Sequence, residues 1–333
     1  MPPHREHLSC LLSMRITDVT ICLEYKYVAP GKMIEVAIQS GLVFKQNLKI
    51  SFITLIGDGV MVKRVSKLKR IDGITHGSHI DTVYPDPAVA LNLLMEGIKD
   101  NEPRIATVEL NVGKILPRKK TVNVWIYDVS FGDDVFMRSL LIEDSKKKIL
   151  QFATAFPVLN SETSVEFEVN EILEWANRLE ANVSGKVIGE ETPYVSFFAV
   201  DYIERKADYL ELDTARAKLA FLAYWAKVGP IGDKISVSPQ NGEPVQINLE
   251  DAELLLPASF KGAFMDDYAI TGRVLRVKPS RTLYGDGYLI RLKSLPLGEI
   301  DLFVLREHLK GENKEIKEGE MLTAVGWLQG GLV

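Results

Sequence analysis

Val183-Ser-Gly-Lys-Val-Ile188 and Ile270-Thr-Gly-Arg-Val-Leu275 carry one pattern: apolar, hydroxyl, glycine, basic, apolar, apolar. Two further pairs follow in the same order. Val195-Ser-Phe-Phe-Ala-Val-Asp201 matches Ile300-Asp-Leu-Phe-Val-Leu-Arg306. Ala217-Lys-Leu-Ala-Phe-Leu-Ala-Tyr-Trp225 matches Met321-Leu-Thr-Ala-Val-Gly-Trp327, each a long apolar strand ending in Trp. In both copies a polar segment, Tyr209–Asp213 or Glu315–Glu320, precedes that last strand. The order predicts two small β-domains of one design in tandem, the first within residues 161–268 and the second over 269–333.

In the second copy, Ile270–Val277 reads as strand one. Tyr284-Gly-Asp-Gly-Tyr288 reads as a hairpin turn with Asp286-Gly287 as its two-residue loop, and Tyr288–Lys293 as strand three. A short helix at Leu305–Lys310 leads into the last strand, Met321–Gln329. This succession resembles the oligonucleotide/oligosaccharide-binding (OB) barrel over about 64 residues. The resemblance implies a five-stranded barrel with ligands on strands two and three.

Working outward, a helix is predicted at Glu168–Glu180. Ile172, Trp175, Ala176 and Leu179 make one apolar stripe, with glutamates early and Arg178 late, as a helix dipole prefers. Trp175 on that stripe is read as a core anchor. Residues 14–160 read mostly as β, with strands at Arg15–Tyr25, Met33–Gln39, Leu48–Ile56, Ile105–Val112 and Thr121–Val129. Pro30-Gly31 and Gly57-Asp58-Gly59 supply turns. One helix interrupts: Asp86 caps it, Pro87 opens it, and Leu91, Leu94, Met95 and Ile98 recur at helical spacing. The expected fold class is mainly β, an amino-terminal β-sandwich with one inserted helix followed by tandem OB-like barrels. The Pro-Gly turn ahead of a strand pair resembles arrestin-type sandwiches, and the likeness concerns fold alone. Residues 1–13 are read as a flexible extension, with Met14 as an alternative start.

The whole-chain composition narrows the function less. The chain has 333 residues, 46 % hydrophobic and 26 % charged, which suits a globular protein of two or three domains. Forty basic and 45 acidic residues leave −5, so the molecule as a whole is not a polycation built for nucleic acid. The two cysteines, Cys10 and Cys22, form no metal or redox pair, which fits a reducing, cytoplasmic setting. The longest apolar run, Leu219–Ala226, has eight residues, against about 20 for a membrane span. Leu8–Met14 is too short for a secretory signal and is cut off by Arg15. No phosphate loop, dinucleotide fingerprint or nucleophile elbow occurs.

Charge is uneven along the chain. Residues 14–160 carry +4, residues 161–269 carry −11 and residues 270–333 carry +2. Between Ala269 and Leu297 six cations face one acid, Asp286: Arg273, Arg276, Lys278, Arg281, Arg291 and Lys293. Tyr284 and Tyr288 interleave with them. Cations neutralise phosphates and aromatic faces stack on unpaired bases, so this stretch is the candidate site for single-stranded nucleic acid. The competing reading pairs these cations with the acidic middle third. A second basic run covers Lys63–Arg70.

The remaining chemical signal is His76-Gly-Ser-His79-Ile-Asp81. His79-x-Asp81-Thr-Val resembles the first metal motif of the co-catalytic zinc aminoacylase and carboxypeptidase family. That resemblance implies His79 as a zinc ligand and Asp81 behind it, with Asp133, Glu190-Glu191 and His308 as further members. The spacings are longer than the family's, and the motif precedes Tyr84-Pro85 in an expected exposed connection. His76, His79 and Asp81 are the candidate metal ligands. The favoured expectation is a non-catalytic binding or scaffolding protein with a protein partner and no cofactor. Single-strand binding comes second and a zinc hydrolase third.

Overall fold

The computed structural model describes residues 9–16, 19–26, 37–38, 67–72, 75–76, 79–112, 118–144, 149–189, 194–232, 234–237, 245–258, 260–295, 297–311 and 315–333. In chain order the strands begin with β1 (Ser9–Ile16), β2 (Val19–Lys26), β3 (Ala37–Ile38) and β4 (Leu68–Ile71). Helix α1 (Pro87–Gly97) precedes β5 (Arg104–Val112), β6 (Arg118–Ser130), β7 (Val135–Asp144) and β8 (Ile149–Leu159). Next come β9 (Val165–Trp175), β10 (Ala181–Val187), β11 (Tyr194–Ala199), helix α2 (Tyr202–Glu211) and β12 (Thr214–Val228). Last are β13 (Lys234–Val237), β14 (Val245–Asn248), β15 (Leu254–Pro257), β16 (Asp267–Arg281), β17 (Asp286–Ser294), β18 (Gly298–Leu305) and β19 (Met321–Leu332). The protein is mainly β.

Three smaller sheets are β1-β2-β3, the β13–β14 hairpin and the antiparallel meander β5-β6-β7-β8. The other ten strands form one sheet that closes on itself twice. β9, β10, β11, β19 and β12 make one circuit. β16, β17, β18, β12 and β19 make the other. Each circuit has one parallel contact, Phe198↔Gln329 between β11 and β19 and Leu222↔Phe303 between β12 and β18. The central antiparallel pair, β12 and β19, belongs to both circuits. Serving two circuits requires long, bent strands, and β12 accordingly runs 15 residues with a register shift between Ala223 and Trp225.

Side-chain alternation builds two cores. Ala217, Leu219, Phe221 and Ala223 of β12 join Val195, Phe197, Ile300, Leu302 and Leu328 inside the circuits. The intervening Ala220 and Leu222 face the other way. With Phe198, Phe303 and Trp327 they meet α1 and the buried face of the meander, including Val124, Ile126, Met137 and Phe156. Asp86 caps α1 as expected, accepting from the amides of Ala88 at 3.0 Å and Val89 at 3.2 Å.

Several sequence expectations are corrected. The tandem domains are not separate, because β12 and β19 are shared. Residues 195–201 and 300–306 do fall on equivalent strands, β11 and β18, whereas 183–188 and 270–275 fall on a second strand and a first strand. The predicted helix Glu168–Glu180 is the greater part of β9 and the turn that leads to β10. Phe167, Val169 and Ile172 point into the barrel core, and Arg178 takes a positive φ of 63° at the turn. The hairpin loop is Thr282–Gly285 rather than Asp286-Gly287, since Asp286 pairs with Arg281. Tyr288–Lys293 therefore lies in the second strand of its circuit. The helix at Leu305–Lys310 is one 3-10 turn, Arg306–His308. Arg15–Tyr25 splits into β1 and β2, and residues 9–13 belong to β1 rather than to an extension. Leu48–Ile56, most of Met33–Gln39, both amino-terminal turns and Glu190-Glu191 lie outside the described residues. Among the described residues no helix is long and apolar enough to cross a membrane.

Candidate binding surfaces

Each of the six barrel cations has a carboxylate of the same chain within reach. Arg273 donates to Asp251 at 2.9 Å and to the Gly319 carbonyl at 2.8 Å. Arg276 reaches Glu162 at 3.1 Å, Lys278 reaches Asp134 at 2.8 Å and Arg281 reaches Asp286 at 3.2 Å. Lys293 lies 3.7 Å from Glu253. Arg291 donates to both oxygens of Asp301, at 2.9 and 3.1 Å, and to Glu162 at 2.8 Å. Burial pushes the Asp301 carboxyl up, but the Arg291 hydrogen bonds and the Glu162 amide outweigh it and hold it below the usual range. Of the two tyrosines, Tyr284 donates to Glu307 at 2.7 Å, and Tyr288 packs on the barrel core. Glu162, Asp251 and Glu253 come from the acidic middle third, so the surplus of one segment offsets that of the other.

His76 and His79, expected in an exposed connection, are enclosed instead. The His79 ring stacks on Trp327 with centroids 4.0 Å apart and planes 11° from parallel. The His76 ring sits 5.1 Å from Phe156, 4.9 Å from Trp175 and 5.0 Å from Phe198. Their Nδ1 atoms are 3.2 Å apart, and His76 Nε2 pairs with the buried carboxylate of Glu180. Burial and the neighbouring His76 hold the His79 imidazole well below its ordinary range. Asp81 lies apart from this pair, its Oδ1 without a hydrogen bond and its carboxyl pushed up by burial. Asp133 accepts the Arg281 amide at 3.0 Å and is committed to the barrel hairpin. His308 pairs with neighbouring Glu307 at 3.7 Å. Among the described residues no three His, Cys, Asp or Glu side chains are grouped to hold a metal ion.

A chain of buried polar groups continues from the histidines. Trp175 Nε1 donates to Asn182 Oδ1 at 2.7 Å. Asn182 and Trp327 Nε1 then both donate to Asp266 Oδ2, at 2.6 and 2.8 Å. Tyr224 donates to the adjacent Asp267 at 2.6 Å. Burial, with the Asp267 charge adding to it, pushes the Asp266 carboxyl up to about 7. These groups fasten β10, β12, β19 and the segment before β16 to one another.

The open surface lies elsewhere. β8 ends the order of the meander, so one of its edges has no strand partner there. Its first four residues are all exposed, and Ile149, Leu150 and Phe152 are large and apolar, at 46 %, 38 % and 46 % exposure. The second half of the same strand is buried against the barrel. Sequence reasoning passed over this segment. The signal available was Lys146-Lys147-Lys148 directly before an apolar strand, the placement of charge that guards an aggregation-prone edge. Compared with known proteins, the chain matches no family model, no curated protein and no solved structure.

Proposed function

We propose that this chain is a non-catalytic binding protein that takes an extended segment of a protein partner along the free edge of β8. The observation that carries the reading is the exposure of Ile149, Leu150 and Phe152 on a strand with one edge unpaired among the described residues. Folded proteins blunt such edges unless something pairs with them, and an added strand gains main-chain hydrogen bonds as well as apolar burial. Burying what remains exposed of these three side chains supplies roughly 1 kcal/mol each. The five-strand closure of each circuit supports reading both as OB-type barrels. The internal pairing of their cations favours a structural role over a nucleic-acid groove.

The test is quantitative affinity purification from the native source, comparing the wild-type chain with Leu150→Lys/Phe152→Lys. Both substituted positions are already exposed, so the variant keeps its fold. A protein recovered with the wild type in fixed proportion and lost with the variant is the expected result. Equal recovery by both chains contradicts the reading.

A further inference from the structure

The second circuit has an open mouth. At the end of the β16–β17 hairpin Arg281 stands opposite Asp286, and Gly287 stands opposite Leu305 of β18. β18 ends there, and Arg306 opens the 3-10 turn that follows it. Arg281, Asp286 and Arg306 come from three adjacent chain segments. They line a cleft of about 460 Å³ whose walls also include Tyr288, Ser280 and Asp133. Mouths of barrels are a recurrent place for small ligands, and the volume lies in the range of ligand pockets.

Two guanidiniums and two carboxylates line this cleft. One Asp133 oxygen accepts the Arg281 amide at 3.0 Å, and one Asp286 oxygen takes Arg281 Nε at 3.2 Å. The Arg281–Asp286 pair is 78 % and 63 % exposed, a weak and exchangeable contact. The two Nη groups of Arg281 and the whole guanidinium of Arg306 have no acceptor among the described residues. The free donors of Arg281 and Arg306 suit a ligand that carries acceptor oxygens.

The surroundings limit its size. The turn after β6 closes one side of the mouth. There the Asp133 amide donates to the Arg281 carbonyl at 3.0 Å and the Leu283 amide donates to the Phe131 carbonyl at 2.8 Å. Of the cations a longer strand would meet next, Lys278 and Arg291 are held by the largely buried carboxylates of Asp134 and Asp301. The geometry points to a small phosphate ester carrying a planar ring, its phosphate between Arg281 and Arg306 and its ring against Tyr288.

The test titrates the full chain with adenosine and uridine 5′-monophosphates by calorimetry at about 50 mM salt, where phosphate contacts are least screened. Inorganic phosphate, adenosine and a short single-stranded oligonucleotide are titrated in parallel. One saturable site is expected for a monophosphate, with weaker binding of phosphate and none of adenosine. Arg306→Gln, an exposed position, weakens monophosphate binding about tenfold or more, as removal of a charge-assisted contact does, without moving the melting temperature. Lys310→Gln leaves binding unchanged. No saturable binding of either monophosphate at millimolar concentration overturns the proposal, as does unaltered affinity in Arg306→Gln. Tighter binding of the oligonucleotide than of the monophosphates overturns the small-ligand assignment.

Discussion

Asp128 of β6 and Arg138 of β7 are direct cross-strand partners, joined by two hydrogen bonds of 2.7 Å. Arg138 also donates to the Val200 carbonyl at 2.8 Å, and Arg104 bridges Asp128 at 2.9 Å and Glu204 at 2.7 Å. The network fastens the meander to the start of α2. Arg138 is only 8 % exposed, so its removal leaves Asp128 and a carbonyl short of donors inside the protein. Arg138→Ala is expected to cost about 3 kcal/mol, near the lower end for a broken buried pair because Asp128 and Glu204 keep some solvent. Urea denaturation measures it. Burial pushes the Asp128 carboxyl up, but Arg138 and Arg104 outweigh it and hold it below the ordinary value. This stabilisation is present above the unfolded value near pH 4 and is lost as pH falls through the folded one. The variant therefore loses less stability on acidification than the wild type.

Asp266 has the opposite dependence. Its carboxyl, pushed up to about 7 by burial and by Asp267, binds a proton in the folded state that the unfolded chain has released above about pH 4. Stability accordingly falls as pH rises from about 4 to 7 and levels off above that. Asp266→Asn keeps an acceptor for Trp327 and Asn182 while removing the charge. It is expected to raise stability at pH 8 by about 1–3 kcal/mol and to flatten the profile between pH 5 and 8. A variant less stable than the wild type at pH 8 contradicts this account of the site.

The shared strand pair makes its own prediction. A Cβ built on Gly326 lies 2.2 Å from the Leu222 carbonyl oxygen and 2.7 Å from the Ala223 Cα, both on β12. Neither is a flexible side-chain end, so β12 and β19 must separate. Gly326→Ala is expected to destabilise the protein by about 3 kcal/mol, in the range of overpacked cores and strained backbones. Gly232→Ala, with nothing within 4 Å of its Cβ, is the neutral control.

Arg291 separates a structural role from a nucleic-acid role. Asp301 beneath it is 2 % exposed and depends on its donors. Arg291→Gln is expected to lower stability by about 2 kcal/mol, the cost of weakening a buried charged hydrogen-bond pair. It should leave any oligonucleotide retention and its salt slope unchanged. A shallower salt slope with unaltered stability would instead assign Arg291 to a phosphate contact.

The fold was legible where local chemistry and tertiary pairing agree. Thr121–Val129 alternates, and the structure places it in β6 with Val122, Val124 and Ile126 buried on one face. Asp86-Pro87 announces α1. Agreement fails at Glu168–Glu180, where Ile172, Trp175 and Leu179 match a helical stripe equally well. Pairing with β10 and β12 decides for a strand, and no local signal carries that information. The enclosure of His79 depends on Trp327, 248 positions away, so a histidine motif beside Tyr84-Pro85 reads as exposed from sequence alone. Sharing of β12 and β19 was hidden for the same reason: two similar segments in succession suggest tandem units, and strand exchange between them leaves the pattern unaltered. The candidate edge at Ile149–Phe152 reads as another apolar strand until its place at the end of the meander, among the described residues, is seen.

The most direct test of binding along β8 places a photo-crosslinking amino acid at Gln151, in the middle of the exposed half-strand, in the full chain expressed in its native cells. Irradiation is predicted to give one discrete adduct, with the partner's cross-linked residue in an extended segment. The same adduct should vanish when Leu150 and Phe152 are replaced by lysine. An equal yield from a probe at Glu96 on α1, or an adduct that survives the double replacement, would contradict the claim that this edge is the binding surface.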